Sequence, residues 1–365
     1  RMLGVIEIDD VMDVMEEERR NFVYGKEDEN GNILNVNDDF SDPSIQKIWE
    51  EEGKTPNVKA ELNRKLTCDS EDFDYFFDEN TEKEENTRII DTSMFLYKVS
   101  DQKGGYSYLF GTCHPGRYPI KSLDKVTEKA LDESDSIYLE CDMKPSPKET
   151  EEITKYNTYN SIRDLGLEDK YENLMKQYKS LKGKPGYALY NVFVINSLIN
   201  SDPEVLNKAN ISKFSAIDNY IYEYAQKKKN FKEVEGIEFQ MKLLTELSGD
   251  YSETILDNLA NKEMVIKSAK EDLDAYYSGN TQYYEDEQNL LLNQLEQLND
   301  SDKEKYEKYW NILAYNRNIH MKDTLTDSIH NNKHDFIGVG CKHLYGEKGI
   351  IQLLKDDGYL VECMK

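Results

Sequence analysis

The chain has 365 residues, 72 acidic against 46 basic, which leaves a formal net charge of −26 and a pI near 4.7. That balance is the reverse of the basic footprint needed to bind phosphates, so no nucleic acid is expected as a partner. With 38% hydrophobic residues there is enough apolar material for one large domain or two ordinary ones, and apolar runs such as "ALYNVFVINSLI" stop well short of the ~20 residues that span a bilayer.

Residues 1–90 hold acidic clusters ("DVMEEE", "KEDENGN", "NVNDDFSD", "DENTEKEEN") with Asn-Gly turn chemistry between short apolar patches. They read as a partly ordered acidic N-terminal extension ahead of a domain over 91–365. The first residue is Arg1 rather than Met, which suggests a trimmed chain, leaves room for a removed leader or anchor, and points to an extracytoplasmic or cell-surface setting. Five cysteines, an odd number with no Cys-x-x-Cys spacing, argue against a disulfide framework or a thiolate zinc site.

From Met94 the texture changes. "MFLYKVS" and "YSYLFGT" are aromatic and β-branched runs around "DQKGG", the pattern of a hairpin. Next comes a helix with Leu123, Val126, Ala130 and Leu131 at helical spacing and Ser122 as its expected N-cap, and then a strand in "SIYLECDM". Residues from about 150 to 330 are mostly helical, including "IDNYIYEYAQKK", "ETILDNLANKEMVIKSAKEDL" and "NLLLNQLEQL", and form a helical insert or cap. "FIGVG" reads as a buried strand and "CKHLYG" as a loop. They are followed by a short helix with Ile350, Ile351 and Leu354 on one face and by a closing strand in "YLVEC".

Two units thus share one order: strand, Gly-x-x-His, helix, strand. The expected fold is α/β, a mixed β-sheet core made from these two units with a helical middle segment. The motifs are Gly111 to His114 and Gly340 to His343, and the chain has only five histidines. A single Gly-x-x-His is a weak signal, because a histidine at a strand end is more often just hydrogen-bonded. The repeat gives it weight, since residues at the carboxyl ends of parallel strands line one crevice. Two neutral imidazoles and a carboxylate suit a divalent first-row ion with a position open for water, and His114, His343 and Glu140 are the expected metal ligands. Arg317 is a candidate clamp for a developing oxyanion, against the alternative of a solvated helix surface.

Other residues read less sharply. His320, His330 and His334 lack HExxH spacing; His330 and His334 sit in an Asn-rich stretch that reads as loop and stay outside the site. Strand alternation sends Cys113 and Cys141 to the core if His114 and Glu140 face the crevice, and puts Cys341 on the face of His343 if that stretch is extended. Glu362, in "LVEC", is the counterpart of Glu140 in "YLEC" and reads as an edge-strand surface residue.

"YLFGTCHPGRYPI", "SIYLECDM", "NRNIHMKDTL" and "FIGVGCKHLYGEKGIIQLLKDDGYLVE" together resemble the TraB/GumN/Tiki family, from about Met94 to the end. "SAIDNYIYEYAQKKKNFKEVEGIEFQ" resembles its middle segment, with Asp218, Glu238 and Gln240 near family positions. The resemblance implies a Tiki, erythromycin-esterase or ChaN-like α/β fold and, for the Tiki branch, metal-dependent proteolysis with Mn, Co or Zn. His114, Glu140, His343 and Arg317 would then be catalytic, with Asn318 and Glu238 binding a peptide or protein substrate. Cys113 and Cys341 depart from the small or aliphatic residues usual in the motifs. The alternative function is a non-catalytic protein that binds or sequesters a peptide or cofactor on the same fold.

Overall fold

The structure is a computed structural model, describing residues 87–212 and 216–365 and, nearer the N-terminus, the strand residues 26–27 and 33–34. The chain divides into residues 9–86 and the remainder. In the former, β1 (Lys26–Glu27) pairs antiparallel with β2 (Ile33–Leu34); the acidic clusters expected to form an extension otherwise lie outside the described residues.

In the second unit the apolar runs form a mixed six-stranded sheet. The expected hairpin is β4 (Leu96–Ser100) and β5 (Tyr106–Thr112), paired antiparallel. The other members are β7 (Ile137–Leu139), β8 (Phe231–Glu233), β9 (Phe336–Gly340) and β10 (Leu360–Cys363), in the order β10-β4-β5-β9-β7-β8. Strands β5, β9, β7 and β8 run parallel. Their centre is apolar on both faces, as a parallel sheet covered by helices requires: Leu109, Phe110, Ile337 and Val339 are fully buried. The closing strand of neither unit lies beside its opening strand. β9 inserts between β5 and β7, and β10 crosses to the far edge beside β4. Both histidine-bearing strands are therefore neighbours at the middle of the sheet.

The chain between β5 and β7 holds an extra strand. Residues Ile120–Leu123 form β6, parallel to β3 (Arg88–Ile90) in a separate two-stranded sheet. Ser122 is thus a strand residue, and α1 (Lys125–Glu133) is capped by Asp124, whose Oδ1 accepts the Val126 and Thr127 N–H groups while Oδ2 accepts from Thr92. A carboxylate satisfies the free amides of the first helical turn and also favours its positive dipole end.

The middle of the chain is mostly helical as expected, but it is not purely an insert, because β8 within it adds an edge strand to the sheet beside β7; the helices are α2 (Pro147–Thr154), α3 (Glu168–Gln177), α4 (Val192–Asn200), α5 (Pro203–Ala209), α6 (Ile217–Lys228), α7 (Ile237–Leu259), α8 (Lys262–Tyr277), α9 (Thr281–Glu296) and α10 (Asp300–Trp310). The long run from "ETILD" onward is two helices, because Asn261 caps α8 through the Met264 N–H. A π turn, Asn311–Tyr315, joins α10 to α11 (Asn316–His330), with the Asn316 N–H donating to the carbonyl of Asn311, five residues back. His330 is the last residue of α11 rather than part of a loop. The short helix α12 (Ile350–Asp356) buries Ile350, Ile351 and Leu354 as its periodicity predicts, and Glu362 is exposed on the edge strand β10.

Candidate functional site

Four parallel strands end at one edge of the sheet, and each is followed within three residues by a polar group: His114 after β5, Glu140 after β7, Glu235 after β8 and His343 after β9. Helix α11 adds Arg317 and Asn318, both buried, which rules out a solvated helix surface for the arginine. Gly340 marks where these elements meet. A Cβ placed there would lie 3.3 Å from Glu140 Oε1, 3.6 Å from the ring of His343 and 3.8 Å from His114 Nε2. The structure thus brings together both histidines and the glutamate that the sequence singled out.

Glu140 is held on every side. Its Oε1 accepts the Gly340 N–H at 2.7 Å, and its Oε2 accepts from Arg317 Nη2 at 2.7 Å and Gln240 Nε2 at 3.0 Å. Burial alone would raise its pKa, but the charges of Arg317, His343 and His114 and the Gly340 N–H together hold it at about 2. Arg317 also pairs with Glu235, through Nη2 at 2.7 Å and Nε at 2.9 Å, and donates Nη1 to the Leu313 carbonyl. Burial opposes the guanidinium charge, yet the two carboxylates push its pKa upward. Nε, Nη1 and Nη2 are all engaged within the protein, an arrangement that suits holding two carboxylates in place rather than meeting a transition state.

The two imidazoles are oriented from behind. His343 Nδ1 lies 2.6 Å from Asn318 Oδ1, and Asn318 Nδ2 donates to the Lys348 carbonyl at 2.8 Å. A carbonyl can only accept, so the amide presents its oxygen to the ring, Nδ1 carries the proton, and Nε2 offers its lone pair. That Nε2 is 4.0 Å from Glu140 Oε1. Burial, then the Arg317 charge, depress the His343 pKa to about 4 against the pull of Glu140, so the ring is neutral at pH 7. His114 Nδ1 lies 3.2 Å from Asp218 Oδ2, on the first turn of α6. The approach is off the line of a good hydrogen bond, but a carboxylate there still favours a proton on Nδ1 and a lone pair on Nε2.

Glu238 does not join this cluster. It sits on an outer face of α7, paired with Lys242 at 2.9 Å and reached by the Tyr156 hydroxyl. Glu235, which sequence reasoning missed, takes the buried place beside Arg317, and Gln240 bridges it to Glu140. The only sequence sign of Glu235 is its position just after β8 and before Gly236, which takes φ +85° to start α7. Both N–H groups of that turn donate to the Glu140 carbonyl, tying β7 to β8.

The cysteines are not part of the site. Cys113, Cys141 and Cys341 are buried, and burial pushes all three thiols up, Cys341 to about 12. Residues 341–343 form a 3₁₀ turn, so Cys341 does not share a face with His343 as an extended stretch would require. It packs against Gly111 instead. His320 bonds the Val234 carbonyl and His334 the Tyr106 carbonyl.

The cluster suits a divalent ion in charge and donor type but not in spacing. Glu140, Glu235 and Asp218 set three buried carboxylates against one guanidinium, and a surplus of buried negative charge calls for a cation. The donor types, the Nε2 lone pairs and the protonation states of Glu140 and His343 suit a divalent ion. Yet among the described residues no group of three or more His, Cys, Asp or Glu side chains is gathered closely enough to hold one.

The fold and this cluster define an α/β protein with its polar centre at the carboxyl ends of four parallel strands. Residues 95–363, well over half of the chain, match the TraB/PrgY/gumN family, and the chain belongs to that family. No curated protein and no solved structure matches it. Membership suggests a hydrolase- or peptidase-like function in general terms. No helix among the described residues is long and apolar enough to cross a membrane.

Proposed function

We propose that this protein is a hydrolase acting on peptide bonds with the help of a divalent cation of the Mn, Co or Zn class, on a Tiki-like variant of the fold. The observation that carries the reading is the convergence of His114, Glu140 and His343 around Gly340, with both Nε2 atoms turned inward. These three would hold the cation, and a bound ion of this class supplies Lewis acidity and an acidified water. Glu140, held at about 2, is too weak a base to take a proton at pH 7 and serves as a fixed negative charge. Neutral His343 is a lone-pair donor. His114, whose Nδ1 faces the Asp218 carboxylate, is the second lone-pair donor, through Nε2. Arg317 positions Glu140 and Glu235.

The test combines metal content and peptide hydrolysis, with and without chelator, for wild type, His114→Ala, His343→Ala and the double variant. We expect each single change to lower turnover by roughly 10²- to 10⁴-fold and the double to cost little more, because groups acting as a unit are not additive. Additive, modest stability losses with unchanged metal content would sink the shared site. Peptide binding without turnover or metal would support the sequestering reading instead.

A further inference from the structure

Away from the cluster, one helical hairpin grips both histidine loops. At the end of α8, Tyr276 is fully buried and its hydroxyl donates to the Gly111 carbonyl at 2.8 Å, while the Tyr277 hydroxyl accepts the Arg117 N–H at 2.9 Å. The two contacts bracket the first loop, one at Gly111 near the end of β5 and one at Arg117, three residues past His114. The same two turns of α8 present Asp272 to the second loop, 2.7 Å from Lys342 Nζ, and Glu287 of α9 lies 3.1 Å from the same ammonium. Lys342 is the residue before His343 in the 3₁₀ turn. Its side chain reaches the hairpin, while the His343 ring meets Asn318 and faces Glu140.

A short turn has little freedom once one side chain is fixed at its far end. An ammonium largely withdrawn from water between two carboxylates is a strong fixing point, because leaving either partner unpaired is costly. The first loop is tied to the same helix end, so α8 is a shared reference for both loops.

We propose that Lys342 is a positioning residue. Locked between Asp272 and Glu287, it fixes the Cys341–His343 turn to the helix end that also holds the first loop, and so sets how the two imidazoles face each other. The inference rests on the reading of His114 and His343 as one site.

The test uses the full chain with ¹⁵N-labelled imidazoles, which five histidines keep resolvable. Lys342→Met removes the lock. The triple change Lys342→Met, Asp272→Asn, Glu287→Gln removes it without leaving orphaned carboxylates and carries the test if the single variant does not fold. Lys342→Arg restores the charge. Wild type should show His343 as the Nδ1–H tautomer; the folded Met-containing variant should show averaged tautomers, a Co²⁺ affinity at least tenfold weaker, and a fall in kcat with KM little changed. Lys342→Arg should recover the wild-type signature. A lower Tm with an unaltered His343 signature would make Lys342 merely structural and overturn the proposal. If wild type neither binds Co²⁺ nor turns over peptide, the functional reading fails, and the imidazole signature still decides the role of Lys342.

Discussion

In the first histidine unit the glycine makes room for a neighbouring loop, whereas in the second it makes room for a carboxylate. A Cβ on Gly111 would press on Cys341, 3.0 Å from its Cβ and 3.1 Å from its Cα, while one on Gly340 would meet Glu140 Oε1 at 3.3 Å. The units are also out of step. Gly111 pairs with Val339, and Gly340 with Thr112, so the motifs are offset by one residue in the sheet. Behind the rings stand different partners, a carboxylate for His114 and an amide for His343. An amide fixes a tautomer without adding charge; a carboxylate does both, and can stabilise a proton on the ring. The same four-letter pattern thus delivers an imidazole to a strand end, and the surrounding elements decide what that imidazole can do.

The strongest way to break this comparison is to strip the guanidinium from Glu140, the carboxylate that closes the first unit and meets Gly340 and His343 of the second. Arg317→Met would leave Glu140 and Glu235 buried without their cation, and unfolding in urea should show a loss of about 3–5 kcal/mol. A loss below about 1 kcal/mol would mean that Gln240 and the Gly340 N–H suffice to hold Glu140.

A second measurement isolates the amide-backed ring. The folded-state pKa of His343 is depressed to about 4 from 6.5, so between these values the unfolded chain binds the proton and the folded one does not. The contribution to stability is fully present above about pH 6.5 and drains away as pH falls toward 4, on the order of 3 kcal/mol in all. His343→Gln should flatten the stability profile across that window in the metal-free protein. Equal slopes in the two proteins would show that the ring is not buried neutral.

The smallest effects sharpen the contrast between the glycines. Gly111→Ala forces a methyl against Cys341 and should cost about 1–3 kcal/mol. Gly340→Ala, with ordinary φ of −50° and the tip of a side chain as its neighbour, should cost about 1 kcal/mol or less while displacing Glu140. Equilibrium denaturation of the two variants gives the order, and a reversed order would show that the glycines do not differ as described.

Much of this site was legible because it is local. The repeated glycine before a histidine marked His114 and His343, an acid on the strand closing the first unit marked Glu140, and Arg317 and Asn318 stand directly after the helical run "YEKYWNILAYN". What the sequence hid is non-local. Nothing near "FIGVG" reveals that β9 inserts between β5 and β7, since that order depends on crossovers spanning most of the chain. Glu235 was invisible among 72 acidic residues, because its distinction is the burial it gains beside Arg317. Glu238 has the same side chain three residues on, yet helix periodicity turns it to solvent. Asp124 displaced Ser122 as a cap because β6 extends the chain two residues further than the apolar spacing suggested.

The π turn at Asn311–Tyr315 imposes a constraint of counting rather than of chemistry. A helix keeps angular phase, each residue advancing about 100°, and one surplus residue in a turn rotates everything beyond it relative to everything before. Upstream, Tyr309 packs edge-on against Tyr251 of α7; downstream, Arg317 and Asn318 face the ends of the strands. One unbroken rod thereby serves two surfaces that an ordinary α-helix of the same length would present at the wrong azimuth. Between Trp310 and Arg317 the number of residues matters as much as the buried side chains of Leu313, Ala314 and Tyr315: a single deletion there would turn the guanidinium away from Glu140 while leaving every catalytic candidate in the chain.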